Sequence, residues 1–206
     1  MEIMNTQETT LLVTFRIKPT ERERFEAALI DDLLGARNEP GNWSMHLFQS
    51  KKDRDLLYFY ERWQDNFVLD LHLQYDYTQT VFELAPDALF EPINIRRLTD
   101  LSPVDQATYR LPADTTKSID HLITFTVPES EREMFINTWS TLVEKNRAIP
   151  GCVAFHLHSV ENEPSTFVLY TRWENETAWR QYVSTPIAEG ISDFLLELFP
   201  YCQKNQ

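Results

Sequence analysis

The chain has 206 residues, 42% of them hydrophobic, and its 19 basic against 32 acidic side chains leave a formal charge of −13. Acidity on this scale, with no block of Lys or Arg, argues against nucleic acid or anionic membrane as a partner, because such binding is driven by clustered basic charge. No apolar run is long enough to span a bilayer, the polar Met1 to Thr10 stretch does not read as a signal peptide, and Cys152 and Cys202 lack metal-type spacing; a cytoplasmic protein with reduced thiols is the expectation.

After a tail over residues 1–9, Leu11 to Ile17 reads as a strand. Thr20 with Glu23 has the spacing of a capping box, and Phe25, Leu29 and Leu33 follow at helical spacing as a core-facing stripe. Pro40-Gly41 turns the chain into a second strand, in which Trp43, Met45 and Leu47 alternate with Ser44, His46 and Phe48. A charged hairpin, Lys51 to Asp55, leads to a third strand, Leu56 to Trp63. A second helix starts just after the Trp, and Leu89 to Leu98 reads as the closing strand.

The same elements return at a constant offset of 110 residues. His121 to Val127, Ser130 with Glu133, the stripe Phe135, Trp139 and Val143, Pro150-Gly151, His156-Leu157, and Tyr170, Arg172 and Trp173 each answer a first-copy counterpart. Residues 99–118, with Pro103 and Pro112, read as a linker. Phe199 to Cys202 stands where the last strand of the second copy should begin, so that strand is expected to be short or missing. The fold class is α+β: two tandem ferredoxin-like repeats of order β-α-β-β-α-β, residues 10–98 and 119–206, expected to pack face to face as an internal dimer.

Strand parity sorts the candidate site residues. Val13, Phe15, Ile17, Met45 and Leu47 share the face under the helices, and Thr14, His46, Tyr58, Tyr60 and Arg62 take the other. Thr124, His156, Tyr170 and Arg172 are their second-copy equivalents. His46 and His156 suit acid–base work near neutral pH, or else hydrogen-bond the neighbouring Tyr and Arg as structural residues. Arg62 and Arg172 suit an oxyanion or carboxylate, or else an ion pair with an acid such as Glu61. Ser-His-Asp order, a phosphate loop, a dinucleotide fingerprint and metal-ligand spacing are all absent from the sequence.

Tyr60-Glu61-Arg62-Trp63, the upstream Pro40-Gly41, and His72 nine residues after Trp63 resemble the antibiotic biosynthesis monooxygenase superfamily. Pro150-Gly151 and Trp173 repeat the pattern, but Thr171 replaces the Glu and Tyr182 replaces the His. The resemblance implies a dimeric α+β barrel, here supplied by one chain. It also implies oxidation of small aromatic or quinol-type compounds without metal, flavin or other cofactor, with an interior-facing His72 as a third catalytic candidate. Trp63, Trp173 and Tyr182 would join Thr14, Thr124, Tyr60, Arg62, Tyr170 and Arg172 as substrate contacts. A small-molecule ligand is the implied partner, with further self-association open. Two alternatives stand beside this reading: a non-catalytic ligand-binding or structural barrel, and an isomerase that holds a small acidic metabolite on Arg62 or Arg172. Because a lone sheet would expose the Tyr60 and His46 face to water, residues 1–105 expressed alone should associate or fold poorly; a monodisperse monomer with a well-dispersed spectrum would rule out the internal dimer.

Overall fold

The computed structural model describes residues 8–50, 52–102, 118–185 and 198–200. It divides into two compact units, Met1–Arg97 and Leu98–Gln206. Residues 1–7 of the tail, Lys51, the linker residues Pro103 and Pro112, and Tyr201 with Cys202 lie outside the described residues.

The first unit runs β1 (Thr9–Arg16), α1 (Arg22–Ala36), β2 (Asn42–Ser50), β3 (Leu56–Trp63), α2 (Asn66–His72) and α3 (Asp76–Ala88), and then enters β4 (Asn94–Asp100). β3 is antiparallel to both β1 and β2, with Val13 and Leu47 opposite Phe59 on one face, and Leu12 and His46 opposite Tyr60 on the other. The first of these faces is the core. Phe15 meets Phe25 of α1 and Phe59 of β3 edge-on at 5.8 and 5.4 Å, and Leu29, Leu33, Met45 and Leu47 are buried beside them. Each such side chain stabilises the fold by about 1.5–3 kcal/mol.

The second unit repeats the plan with β5 (Ile119–Thr126), a 3₁₀ turn at Glu129–Glu131, α4 (Arg132–Arg147), β6 (Cys152–Val160), β7 (Glu163–Trp173), α5 (Glu176–Val183) and β8 (Leu198–Pro200). β7 lies between β5 and β6; Ile123 and Leu157 face Leu169, while Leu122 and His156 face Tyr170. Leu98–Asp100 pairs with Val160, Ser159 and His158 along the other edge of β6.

Four local readings are corrected. Thr20 and Ser130 do not cap helices: the capping positions are Glu21 and Glu131, neither makes a side-chain cap bond, and Ser130 sits inside the 3₁₀ turn. The side-chain caps are instead Asp65 and Asn175, 110 residues apart, which accept from the backbone N–H of Val68 and Ala178 at 2.9 and 3.0 Å. The second helix of the first repeat is two helices, α2 and α3. The closing strand begins at Asn94, not Leu89: Leu89 forms a single bridge with Ile17, Phe90 donates to the Arg16 carbonyl, and Pro92, two residues on, has no N–H to offer a ladder. Finally, register shifts between Asn42 and Ser44, and again between Cys152 and Ala154, place Trp43 and Val153 in matching bulges.

The Pro-Gly turns need their glycines. Gly41 and Gly151 adopt φ of 88° and 83°, and an added Cβ would stand 2.9 Å from Val68 Cγ1 of α2 and 2.6 Å from Ala178 Cβ of α5. Their carbonyls accept from Gln64 N and Glu174 N, which ties each turn to the corner after the conserved-in-repeat Trp. Gly151→Ala should therefore cost about 1–3 kcal/mol in chemical denaturation, more than the cost of about 1 kcal/mol expected for Asn175→Ala.

Candidate functional site

The helix side of the first unit holds a polar layer centred on His72. β3 directs Glu61 and Trp63 to this side, α1 brings Asp32, the turn before β2 brings Glu39, and α2 brings the imidazole. His72 Nδ1 lies 2.8 Å from Glu39 Oε1, an arrangement in which the ring N–H donates to the carboxylate. Nε2 is 3.7 Å from Asp32 Oδ1. Tyr77 Oη donates to Glu39 at 2.7 Å and Thr78 Oγ1 to Asp32 at 2.7 Å. The Trp63 indole packs 4.4 Å from the imidazole and donates its N–H to Glu61 Oε2 at 2.8 Å. Gly35 leaves room for this layer, since a Cβ there would stand 2.6 Å from the Tyr77 ring.

His72, Asp32, Glu61 and Glu39 are 2, 3, 4 and 7% exposed. Burial raises the Asp32 carboxyl above its usual range, although His72 and the Thr78 hydroxyl pull it down. Burial pushes Glu61 up to about 7, against the opposing pull of His72 and the Trp63 N–H. Burial and the bond to Glu39 also raise the Tyr77 phenol. An acid that titrates near neutrality beside an imidazole is suited to moving protons.

The second repeat lacks this chemistry as a set. Leu142, Ile149, Thr171 and Tyr182 stand where the first has Asp32, Glu39, Glu61 and His72. Tyr182 stacks on Trp173 at 4.6 Å, in the place where the first repeat has the tilted His72 ring against Trp63, and Trp179 packs against both. The Trp173 N–H, the Thr171 hydroxyl and the Tyr182 hydroxyl are buried without a hydrogen-bond partner among the described residues. Burial raises the Tyr182 phenol and pushes Cys152 up to about 12.

The opposite faces carry the Tyr-Arg pairs. Arg62, 1% exposed, donates from Nε to Tyr60 Oη at 2.9 Å and pairs through a second nitrogen with Glu8. Arg172 Nε pairs with Asp120 at 3.2 Å, contacts Ser118 Oγ at 3.3 Å, and Tyr170 Oη donates to Asp120 at 3.1 Å. Glu61 is thus not the partner of Arg62; it points to the other side of the sheet. By the repeat, Glu8 corresponds to Ser118 and Thr10 to Asp120, so the acid has moved two residues along one strand face.

His46 is half-buried opposite Tyr60, 6.2 Å from the Phe48 ring, with Thr14 on the same face opposite Tyr58. His156 is buried, its ring parallel to Tyr170 at 6.0 Å, and Thr124 shares its face opposite Val168. The candidates therefore do not form one site: the sheet separates His72 and Trp63 from His46, Tyr60 and Arg62. His72 lies under the helices instead of facing the interior with His46. Sequence reasoning missed Asp32, Glu39, Tyr77 and Thr78, and in the second repeat His158, whose Nδ1 lies 3.2 Å from Asp100.

Among the described residues, no group of three or more His, Cys, Asp or Glu is placed to hold a metal, and no helix is long and apolar enough to cross a membrane. An apolar groove of about 350 Å³ lies in the second unit between β5 and α4, lined chiefly by Ile123, Phe125, Val127, Phe135 and Trp139 with Glu131 at its edge.

The sequence pattern of the antibiotic biosynthesis monooxygenase family matches residues 9–84 and again 119–191. The chain belongs to this family. It carries two copies of the family's domain, each with the ferredoxin-like plan. A candidate monooxygenase from Fusobacterium nucleatum shares the fold across 96% of both chains with a TM-score of 0.74 at 11% identity. Another from Lactobacillus acidophilus aligns over 90% of this chain and 86% of its own with a TM-score of 0.69 at 12% identity. An uncharacterised protein from Synechocystis is 30% identical over 81 residues; that match takes in 39% of this chain and about half, 55%, of the relative's length.

The raised Glu61 acid makes a directional prediction. The folded protein holds this proton up to about pH 7, whereas an ordinary Glu carboxyl releases it near 4.5. Stability should therefore fall as pH rises between those values, by on the order of 3 kcal/mol for a displacement of that size. Glu61→Gln should flatten this slope in urea melts run at successive pH values, while Asp32 continues to contribute with the same sign.

Proposed function

We propose that the protein is a cofactor-independent oxygenase acting on a small phenol or quinol, with its reacting centre at His72 in the first repeat. The observation that carries this reading is the presence of Asp32, Glu39, Glu61 and His72 in one repeat and the absence of all four from the matching positions of the other. A buried set of four ionisable groups is costly to keep, and the other copy of the fold is built with Leu, Ile, Thr and Tyr in the same places.

In this reading Glu39 fixes the imidazole through Nδ1 and His72 takes the proton of the phenol. The ionised substrate then reduces dioxygen. A quinol and dioxygen give a hydroxylated quinone and water: one oxygen atom joins the ring, the other leaves with two substrate hydrogens, and all four electrons come from the substrate. Trp63, against the imidazole, supplies an aromatic wall for a flat ring. The paired guanidinium groups of Arg62 and Arg172 give an acidic metabolite no uncompensated charge, so the isomerase reading draws no support from them. Cytoplasmic location and a small aromatic ligand belong to the same proposal.

One observation favours a second reading. His72 is sealed from solvent and has acidic partners at both nitrogens, as a purely structural imidazole would, while the described groove lies in the other repeat. On that reading the protein binds an apolar aromatic compound beside Phe125, Phe135 and Trp139 without transforming it.

Oxygen uptake by metal- and flavin-free protein with a panel of quinols separates the two. His72→Ala should slow turnover on the order of 10²- to 10⁴-fold with the fold retained, and Tyr182→Phe should change it little. Absence of uptake across the panel, with an aromatic ligand lost on Phe135→Ala, would replace the oxygenase reading with the second.

A further inference from the structure

Glu61 has a position that neither ion pairing nor solubility explains. Its carboxylate is buried on the helix side of β3, two residues from Trp63 on the same face, and Oε2 accepts the indole N–H at 2.8 Å. Facing it are His72 from α2, Asp32 from α1 and Glu39 from the turn before β2, the last two held by Thr78 and Tyr77 of α3. Arg37 spends its guanidinium on the carbonyl of Met45, the residue opposite Glu61 in β2, and Arg62 points to the other side of the sheet with Glu8. The only cationic form within this set is a protonated His72, which it shares with two other carboxylates.

The second repeat supplies the control. Thr171 replaces Glu61, and the Trp173 N–H then has no partner among the described residues, yet Trp173 keeps its place with an aromatic ring stacked on it. Packing alone is therefore enough to seat the Trp. The Glu is not needed to fill the corner; what it adds is an acceptor whose charge can change.

We propose that Glu61 is a titrating positioning residue of the His72 site: as a carboxylate it pins the Trp63 indole against the imidazole, and on taking up a proton it relaxes that hold. A charge-assisted hydrogen bond is roughly twice as strong as its neutral counterpart, so protonation weakens the tether without removing it. The neutral-range acidity of the buried carboxyl puts the two forms in balance under ordinary conditions. Resting on the oxygenase reading, the proton that a phenol releases into the site has a place to go: the substrate O–H bond breaks as an N–H bond forms on His72, and an imidazolium N–H bond then breaks as an O–H bond forms on the Glu61 carboxylate. No oxidant enters this step.

The test needs no substrate. The five Trp side chains give five indole N–H resonances, and Trp63→Phe assigns the one that matters. In the full-length protein the Trp63 resonance should move with pH with its midpoint near neutrality, while that of Trp173 stays flat. Glu61→Gln, matched in shape and fixed in charge, should abolish the movement with dispersion of the spectrum retained. Glu61→Asp, in which the acid retreats by one methylene, should displace the midpoint and serves where Gln prevents folding. A Trp63 resonance that is flat in the wild-type protein overturns the proposal. So does a titration that survives in Glu61→Gln and vanishes in His72→Gln, which would assign it to the imidazole. A protein that titrates as expected but consumes no oxygen with any quinol loses the oxygenase reading and keeps this one.

Discussion

Three carboxyl groups and an imidazole sit between a sheet and its helices at 7% exposure or less, and the rest of the first repeat is arranged around that burial. An ionised side chain in such a place survives only with partners, because desolvation of an unpaired charge costs several kcal/mol. The partners come from five separate segments: Asp32 from α1, Glu39 from the turn before β2, Glu61 and Trp63 from β3, His72 from α2, Tyr77 and Thr78 from α3. Each hydrogen bond fixes one element against another, so the layer specifies helix placement more narrowly than apolar packing alone would. The second repeat shows what apolar packing achieves by itself, with Tyr182, Trp173 and Trp179 packed ring against ring in the same corner.

The sheet was the most legible part of the chain. A period of two has only two solutions, and the registers of Leu12, His46 and Tyr60, and of Leu122, His156 and Tyr170, are those that the alternation requires. The helix termini were less legible, because hydroxyl-x-x-Glu is neither necessary nor sufficient for a cap. At Thr20 the chain enters α1 through a turn that leaves Glu21 at the capping position, while the less conspicuous Asp65 and Asn175 do the capping.

The site was half visible. Trp63 and His72 stood out by their spacing, yet their acidic partners come from α1 and the following turn, and no local motif links them. Asp32 nonetheless left a trace: it falls three residues after Leu29 and four before Ala36, on the apolar stripe of α1, where an acid has no reason to be unless something buried awaits it. Glu39 left none in its own copy. Only the mismatch with Ile149, read together with Asp32 against Leu142, Glu61 against Thr171 and His72 against Tyr182, marks it as part of a set.

The acids opposite Arg62 and Arg172 constrain the order in which the two repeats could have drifted apart. Glu8 lies just before β1 and Asp120 two repeat positions further on in β5, with Ser118 and Thr10 at the respective matching positions. A route between these arrangements that deletes the old acid first passes through a chain with a buried, unpaired guanidinium, a state roughly 3–5 kcal/mol less stable and near the limit of what a small domain can lose. A route that installs the new acid first passes through a chain with two acids around one base, which costs far less because the charge keeps a counterion throughout. Of the two routes only the second keeps the guanidinium paired at every step, so a shift of the acid along the chain is compatible with a folded protein throughout.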